Sequence, residues 1–483
     1  MHEDTKAITD LLIRAKKKAQ DEIPGVHDHE STPEESWPVE CTIGPGLEGA
    51  TACYTRIGHV NGAKGILTYR GYNVFDLAIY SSFEEVTYLL LFGKMPTPTQ
   101  LARFKAKLAK YRYMPETLRL LMSFPVEKQS SMGALRLGVN LLRRVVSHIE
   151  DEPAHPEEEP RISADEDSIP EETQPMGHEH AVYELEEEKE EYLALTDDIC
   201  QLISGMATLT AAIARLRQGR LPIEPDPGLD HAANFLYMMT GERPTPEAAR
   251  IMDVSLILHA DHGMNASTFA SMVVASTLSD IYFSVGAGVA ALNGPLHGGA
   301  NEQVLYTLDE VKKAGNVKKW YEKARAEKRK IMGFGHRVYK TYDPRARILG
   351  PLADFVARQD PETKGMLAVA HDLEKEVVAT LGSSKGIFPN VDFYSGLVYK
   401  AMGIDTPMFT PIFAVSRVSG WTARCLEYLE NNRIFRPRAI YTGKFDQEYV
   451  PLEKRGPRPK AQPKRPAPGE PSEKCKAKGK KKR

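Results

Sequence analysis

The stretch LNGPLHGGANE, from Leu292 to Glu302, interrupts an apolar run with glycines, a proline and one histidine, His297. Two later stretches share that make-up. GFGHRVYKTYDPRAR (Gly333 to Arg347) carries His336, and FPNVDFYSG (Phe388 to Gly396) carries Asp392. Gly and Pro are costly inside helices. The three side chains are therefore expected at breaks between helices, where they can converge on a cleft. Two imidazoles, one carboxylate and nearby arginines suit carbon-acid chemistry on an anionic substrate. The carboxylate takes a proton while the imidazoles polarise carbonyl oxygens. Taken singly, each residue has a plainer reading. An Asp at a helix start commonly caps it, and a histidine before two glycines is commonly a turn residue.

Around these breaks, apolar residues recur at spacings of three and four. The pattern predicts helices over Phe83–Phe92, Thr99–Tyr111, Met132–His148, Tyr192–Arg217 and Pro246–His259. It also predicts them over Ala266–Ser279, Glu302–Ala314, Val317–Lys330 and Lys364–Leu381. Alternating strands are few, although Asn61-Gly62 signals a short hairpin. The expected fold is all-α. Ahead of it, Thr5–Asp21 reads as an amphipathic helix and Glu22–Pro38 as a polar linker, with the main body starting near Cys41.

A chain of 483 residues can bury a large core. Its 63 basic and 65 acidic residues nearly cancel, yet they are unevenly placed. Glu150 to Glu191 holds roughly eighteen acids, and Lys454 to Arg483 roughly thirteen basic residues. Composition marks both segments as disordered, because neither has apolar surface to offset its chain entropy. The basic tail lacks aromatics for base stacking, so specific nucleic-acid binding is not expected. Five scattered cysteines without a CxxC point to a reducing compartment. No apolar run approaches a membrane span and the N-terminus carries no leader pattern, so a cytoplasmic, membrane-free protein is expected.

The three stretches, together with GLEGATACYTRIGHVNGAKGILTYRGYNVFDLA (Gly46 to Ala78), HADHGMNASTFA (His259 to Ala270), FTPIFAVSRVSGWTARCLE (Phe409 to Glu427) and RIFRPRAIYTG (Arg433 to Gly443), resemble the citrate synthases. The start resembles the shorter, dimeric bacterial and archaeal enzymes. The resemblance implies two helical domains closing over a cleft. The large, discontinuous one covers about residues 40–298 and 401–450, and the small one about 299–400. Residues 1–39, the acidic insertion 150–191 and the tail 451–483 stand outside the pattern.

The resemblance further implies Asp392 as the base that deprotonates acetyl-CoA and His297 as donor to the thioester oxygen. It implies His336 as donor to the oxaloacetate ketone and His262 as a further substrate contact. Arg345, Arg417 and Arg436 would bind the substrate carboxylates, with Arg436 reaching into the site of the other subunit of a homodimer. Gly333 to Gly335, Lys340, Lys385 and Asn390 would contact CoA. Acetyl-CoA is then a substrate, and no cofactor or metal is implied. His259 and His262 alone resemble a metal pair, but no further ligands at a recognisable spacing accompany them. Two alternatives remain open at this level. One is a 2-methylcitrate synthase using propionyl-CoA. The other is a silent homologue that acts by binding.

Overall fold

The computed structural model describes residues 5–22, 41–143 and 190–455. Residues 23–38 of the predicted linker, 144–148 of the predicted helix Met132–His148, 150–189 of the acidic stretch and the tail from 456 onward fall outside them. Helices dominate, and the fold is all-α. Among the described residues the only sheet is small and antiparallel: β1 (Gly58–Asn61), β2 (Ile66–Tyr69) and β3 (Tyr72–Asn73), with Asn61 opposite Ile66. The Asn61-Gly62 signal therefore marks a real turn.

Local chemistry explains where the helices begin and end. Phe83–Phe92 opens on a capping box, in which Ser82 Oγ accepts from Glu85 N–H at 3.3 Å and Glu85 Oε2 accepts from Ser82 N–H at 2.9 Å. Pro246–His259 opens on a Thr245 cap with Pro246 in the first turn, where its missing N–H costs nothing. Four helices differ from the periodicity. The one predicted over Met132–His148 ends at Leu142, where Arg143 turns to an extended ψ of 107°. The one from Ala266 stops at Ala275, since Leu278 turns to a left-handed φ of 62°. The one from Val317 stops at Ala326, ahead of Lys328 at φ 55°. The next starts early, at Pro361, because Asp360 caps it.

The core is built around two long helices. Glu190–Arg217 packs against Pro98–Arg112, Ser131–Leu142, His231–Thr240 and Phe409–Leu429. Phe409–Leu429 also packs against Ala266–Ala275 and Ile281–Leu292. Asp197–Arg217 is long and apolar enough to cross a membrane, but it is 89% buried inside the protein and serves as a core helix. Toward the C-terminal side, Pro344–Val356 packs on Val391–Ala401, which packs on Ala300–Ala314. The N-terminal helix Lys6–Glu22 sets Ile8, Leu12, Ala15 and Ala19 into the core, against Pro344–Val356 and Val74–Tyr80.

Residues up to Phe435 make one compact unit, and those from Arg436 make a second. Within the second unit, Arg436–Val450 has no regular secondary structure. Arg436 is exposed, as are Ile440, Tyr441, Phe445 and Tyr449.

Candidate active site

The loop from Gly333 to Tyr339 and the segment from Phe388 to Asn390 hold each other. Gly335 N–H donates to Phe388 O and Asn390 N–H to Gly333 O, each at 2.9 Å. Gly333 and Gly335 adopt φ of 82° and 78°, and a Cβ on Gly333 would lie 2.8 Å from Phe393 and Val304. Only glycine suits that position. A third contact, Lys340 N–H to Gly62 O at 2.9 Å, ties the loop to the β1–β2 turn.

His336 stands in this loop with Nδ1 accepting from the backbone N–H groups of Val338 at 3.0 Å and Tyr339 at 3.2 Å. Burial, with Arg345 and Lys340 adding to it against Asp343, pulls its pKa down to about 4. The ring is then neutral near pH 7, and with Nδ1 accepting, the proton is on Nε2. His262 lies edge-on to it, with ring centroids 5.2 Å apart, and its Nε2 lies 3.1 Å from the Tyr339 hydroxyl.

His262 is set by the end of Pro246–His259. Tyr69 Oη, from β2, reaches Ile257 O at 3.1 Å and Asp261 O at 3.0 Å. The Phe409–Leu429 helix crosses here at Gly420, where a Cβ would lie 2.2 Å from Ala260 O. That close approach brings two arginines inward. Arg424 is clasped by Asp261 through Nε at 2.9 Å and Nη2 at 2.7 Å. Arg417 is different. Its Nε donates to His259 O and its guanidinium lies 4.8 Å from the Phe413 ring centroid, but Nη2 is buried with no partner among the described residues. Burial lowers its pKa to about 10, against the pull of Asp261. An uncompensated buried guanidinium is costly unless an anion completes it.

Arg345 is committed differently from a free fork. Asp343 holds it through Nε at 3.0 Å and Nη2 at 2.7 Å, and both side chains are buried. Asp343 Oδ2 also accepts Val391 N–H at 3.2 Å, so the same carboxylate steadies the helix that presents Asp392.

Asp392 sits in the first turn of Val391–Ala401, and Asn390, not Asp392, is the cap. Its Oδ1 is buried without a hydrogen-bond partner among the described residues. Burial raises its pKa to about 7, with Asp343 adding to the rise and Arg345 and Arg417 opposing it. A half-buried carboxylate with an idle oxygen and a pKa near neutrality has the properties of a general base.

His297 lies in the turn between Ile281–Leu292 and Ala300–Ala314. Its Nε2 is 2.7 Å from Ser267 Oγ and 3.3 Å from Ser267 N. Burial, then Arg417, lowers its pKa to about 4. Its ring centroid is 6.4 Å from that of Phe413, the ring beside Arg417. His262, His297, His336 and Asp392 each feel the charge of Arg345, Arg417 or both.

The expected CoA contacts fare unevenly. Asn390 uses its amide locally, Oδ1 capping the helix and Nδ2 donating to Gly335 O at 2.9 Å. Lys340 is exposed and donates to Arg337 O at 3.3 Å, and Lys385 is exposed beside Gly386, where a Cβ would lie 2.8 Å from Lys340 O. No group of three or more metal-ligating side chains occurs among the described residues. His259 donates from Nδ1 to Ser255 O at 2.7 Å and leaves Nε2 idle. Sequence reasoning missed Ser267, Tyr339 and Asp343. Only Asp343 had a visible signal, as the Asp two residues before Arg345.

Comparison with known proteins shows the family of the chain. The family model described as citrate synthase, C-terminal domain, matches residues 46–438. A Synechocystis citrate synthase is 42% identical over 85% of this chain and 93% of its own length. One from Saccharolobus solfataricus is 38% identical over 86% of this chain and 99% of its own. Among solved structures, a ternary complex of the Thermoplasma acidophilum citrate synthase with carboxymethyl coenzyme A and oxaloacetate superposes with a TM-score of 0.73. It is 33% identical and covers 86% of this chain and 100% of its own.

Proposed function

Since the chain belongs to the citrate synthase family, we propose that it condenses acetyl-CoA with oxaloacetate and hydrolyses the resulting thioester to citrate and CoA. Asp392 removes a proton from the acetyl methyl group. His297 donates from Nδ1 to the thioester oxygen as the enol forms. The enol carbon attacks the ketone carbon of oxaloacetate, and His336 donates from Nε2 to the oxygen that becomes the alkoxide. Water then cleaves citryl-CoA. Two neutral imidazoles suit this sequence because each gives a hydrogen bond where negative charge develops.

Arg417, with its idle Nη2, binds one oxaloacetate carboxylate, and His262 lies beside the ketone site. Arg345 contributes charge while Asp343 holds it. Arg436 of the partner subunit completes the carboxylate cage in a homodimer. Residues 299–400 form the small domain that closes on the rest and excludes water from the enol. Lys340 and Lys385 are cationic contacts for the anionic phosphates of CoA.

The observation that carries the proposal is Asp392, an idle carboxylate oxygen at a pKa of about 7 beside the Arg345–Arg417 pair. The test is steady-state kinetics with acetyl-CoA and propionyl-CoA in parallel, with oxaloacetate. A higher kcat/KM for acetyl-CoA supports the proposal. A preference for propionyl-CoA makes the enzyme a 2-methylcitrate synthase, and CoA release from neither thioester removes the activity altogether.

A further inference from the structure

Arg345 and Arg347 leave opposite sides of Pro344–Val356, because residues two apart in a helix do not share a face. Arg345 turns inward, to Asp343. Arg347 turns toward the N-terminal helix, and its side chain is 9% exposed. Its Nη1 donates to Glu22 Oε2 at 2.5 Å. Its guanidinium lies over the Tyr342 ring, 4.4 Å from the centroid. Tyr342 in turn packs on Phe388, with ring centroids 4.8 Å apart and planes tilted by 45°.

Tyr342 follows the loop that carries His336, and Phe388 opens the segment that leads into Asp392. Phe388 O is also the acceptor of Gly335 N–H. One cation therefore bears on both segments at the place where they are hydrogen-bonded to each other. A guanidinium suits the task, because a flat and permanently charged group can cover a ring and donate to a carboxylate at once. The position of Glu22 is itself set by packing. It ends the helix Lys6–Glu22, whose Ile8, Leu12, Ala15 and Ala19 are buried and whose Lys16 pairs with Asp76 of Val74–Tyr80. That helix lies outside residues 46–438, the part matched by the family model.

We propose that Arg347 is a positioning residue that acts through Tyr342 and Phe388 to hold the His336 loop against the Asp392 segment, with Glu22 of the N-terminal helix as its anchor. Glu22 is 40% exposed, so its ion pair contributes little by itself. The ring contact carries most of the effect, and Glu22 sets where the guanidinium lies. The inference rests on the reading of His336 as donor to the oxaloacetate ketone.

The test uses the full-length enzyme in two variants. Arg347→Met keeps an apolar stem and removes the guanidinium. Glu22→Gln keeps Arg347 and removes the charge of its anchor, at a partly exposed position where the core packing is untouched. The readouts are kcat and the infrared stretch of bound oxaloacetate labelled with carbon-13 at the ketone, which reports polarisation by His336. A purely structural effect lowers the folded fraction and leaves the stretch of the bound ligand where it is. In Arg347→Met, kcat falls about three- to thirtyfold, the upper end being the whole of a desolvated cation–π contact, and the stretch moves toward that of free oxaloacetate. In Glu22→Gln both change in the same direction, kcat by about two- to fivefold, the range of a partly exposed ion pair. A wild-type stretch in Arg347→Met, or in Glu22→Gln where Arg347→Met does not fold, overturns the role of Arg347 whatever the kcat. A shift in Arg347→Met without one in Glu22→Gln overturns the anchoring by Glu22. A stretch in the wild-type enzyme equal to that of free oxaloacetate overturns instead the underlying reading of His336.

Discussion

The sharpest consequence of the site is a pH profile. Asp392 has a pKa of about 7, far above the ordinary 3.8 of an aspartate. As a base it works only when ionised, so kcat/KM rises with pH through that value. At one unit below, roughly a tenth of the enzyme holds an ionised Asp392, and the rate drops about tenfold for each further unit. An aspartate with its ordinary pKa would stay ionised over the same range, and the profile would be flat. His297 and His336, both at about 4, stay neutral through this window and add no second limb. The assay follows loss of thioester absorbance from about pH 8 to about pH 5.5, avoiding thiol reagents that fail in acid. Asp392→Asn supplies the control. It keeps the shape, removes the base and costs at least about a hundredfold in turnover, while oxaloacetate binding persists. A flat acid limb in the wild type, or an Asn variant with substantial activity, refutes the assignment of Asp392.

Three further outcomes follow from named contacts. Arg417→Met abolishes oxaloacetate binding in calorimetry yet leaves the melting temperature equal or higher, because an uncompensated buried charge is exchanged for apolar packing; a destabilised variant that still binds oxaloacetate contradicts the anion role. Arg436→Ala and His297→Ala are each nearly inactive, and refolding them together restores about a quarter of wild-type activity through mixed dimers; no recovery, when refolded wild type regains activity, places Arg436 in its own subunit's site or in none. Leu12→Ser lifts the helix Lys6–Glu22 from its seat, since burial of such a side chain supplies about 1.5–3 kcal/mol; hydrogen exchange then shows its amides unprotected while the rest of the fold stays folded, and unchanged protection means that Leu12 does not hold the helix.

Much of this protein is legible in the chain itself. The helical class follows from periodicity, and Phe83–Phe92 and Pro246–His259 run as predicted because apolar residues recur at spacings of three and four and a capping residue opens each. His297, His336 and Asp392 announce themselves through the Gly and Pro around them. Other elements stayed hidden. Phe409–Leu429 is buried from Phe409 to Cys425, so no polar face marks its period, and Pro344–Val356 contains Pro351.

The pairing of charges was hidden as well. Apart from Asp343, two residues before Arg345, nothing local tells which of Arg345, Arg417 and Arg424 a carboxylate already holds. Asp343 clasps the first and Asp261 the third, and Arg417 has no carboxylate partner among the described residues. Likewise the partner of His297 Nε2 is Ser267, thirty residues away, whose hydroxyl also accepts the indole N–H of Trp421, 154 residues beyond it. Residue type and local spacing determine which groups are able to do chemistry. Burial and hydrogen-bond partners, which come from distant segments packed together, decide their charge state and where each proton sits.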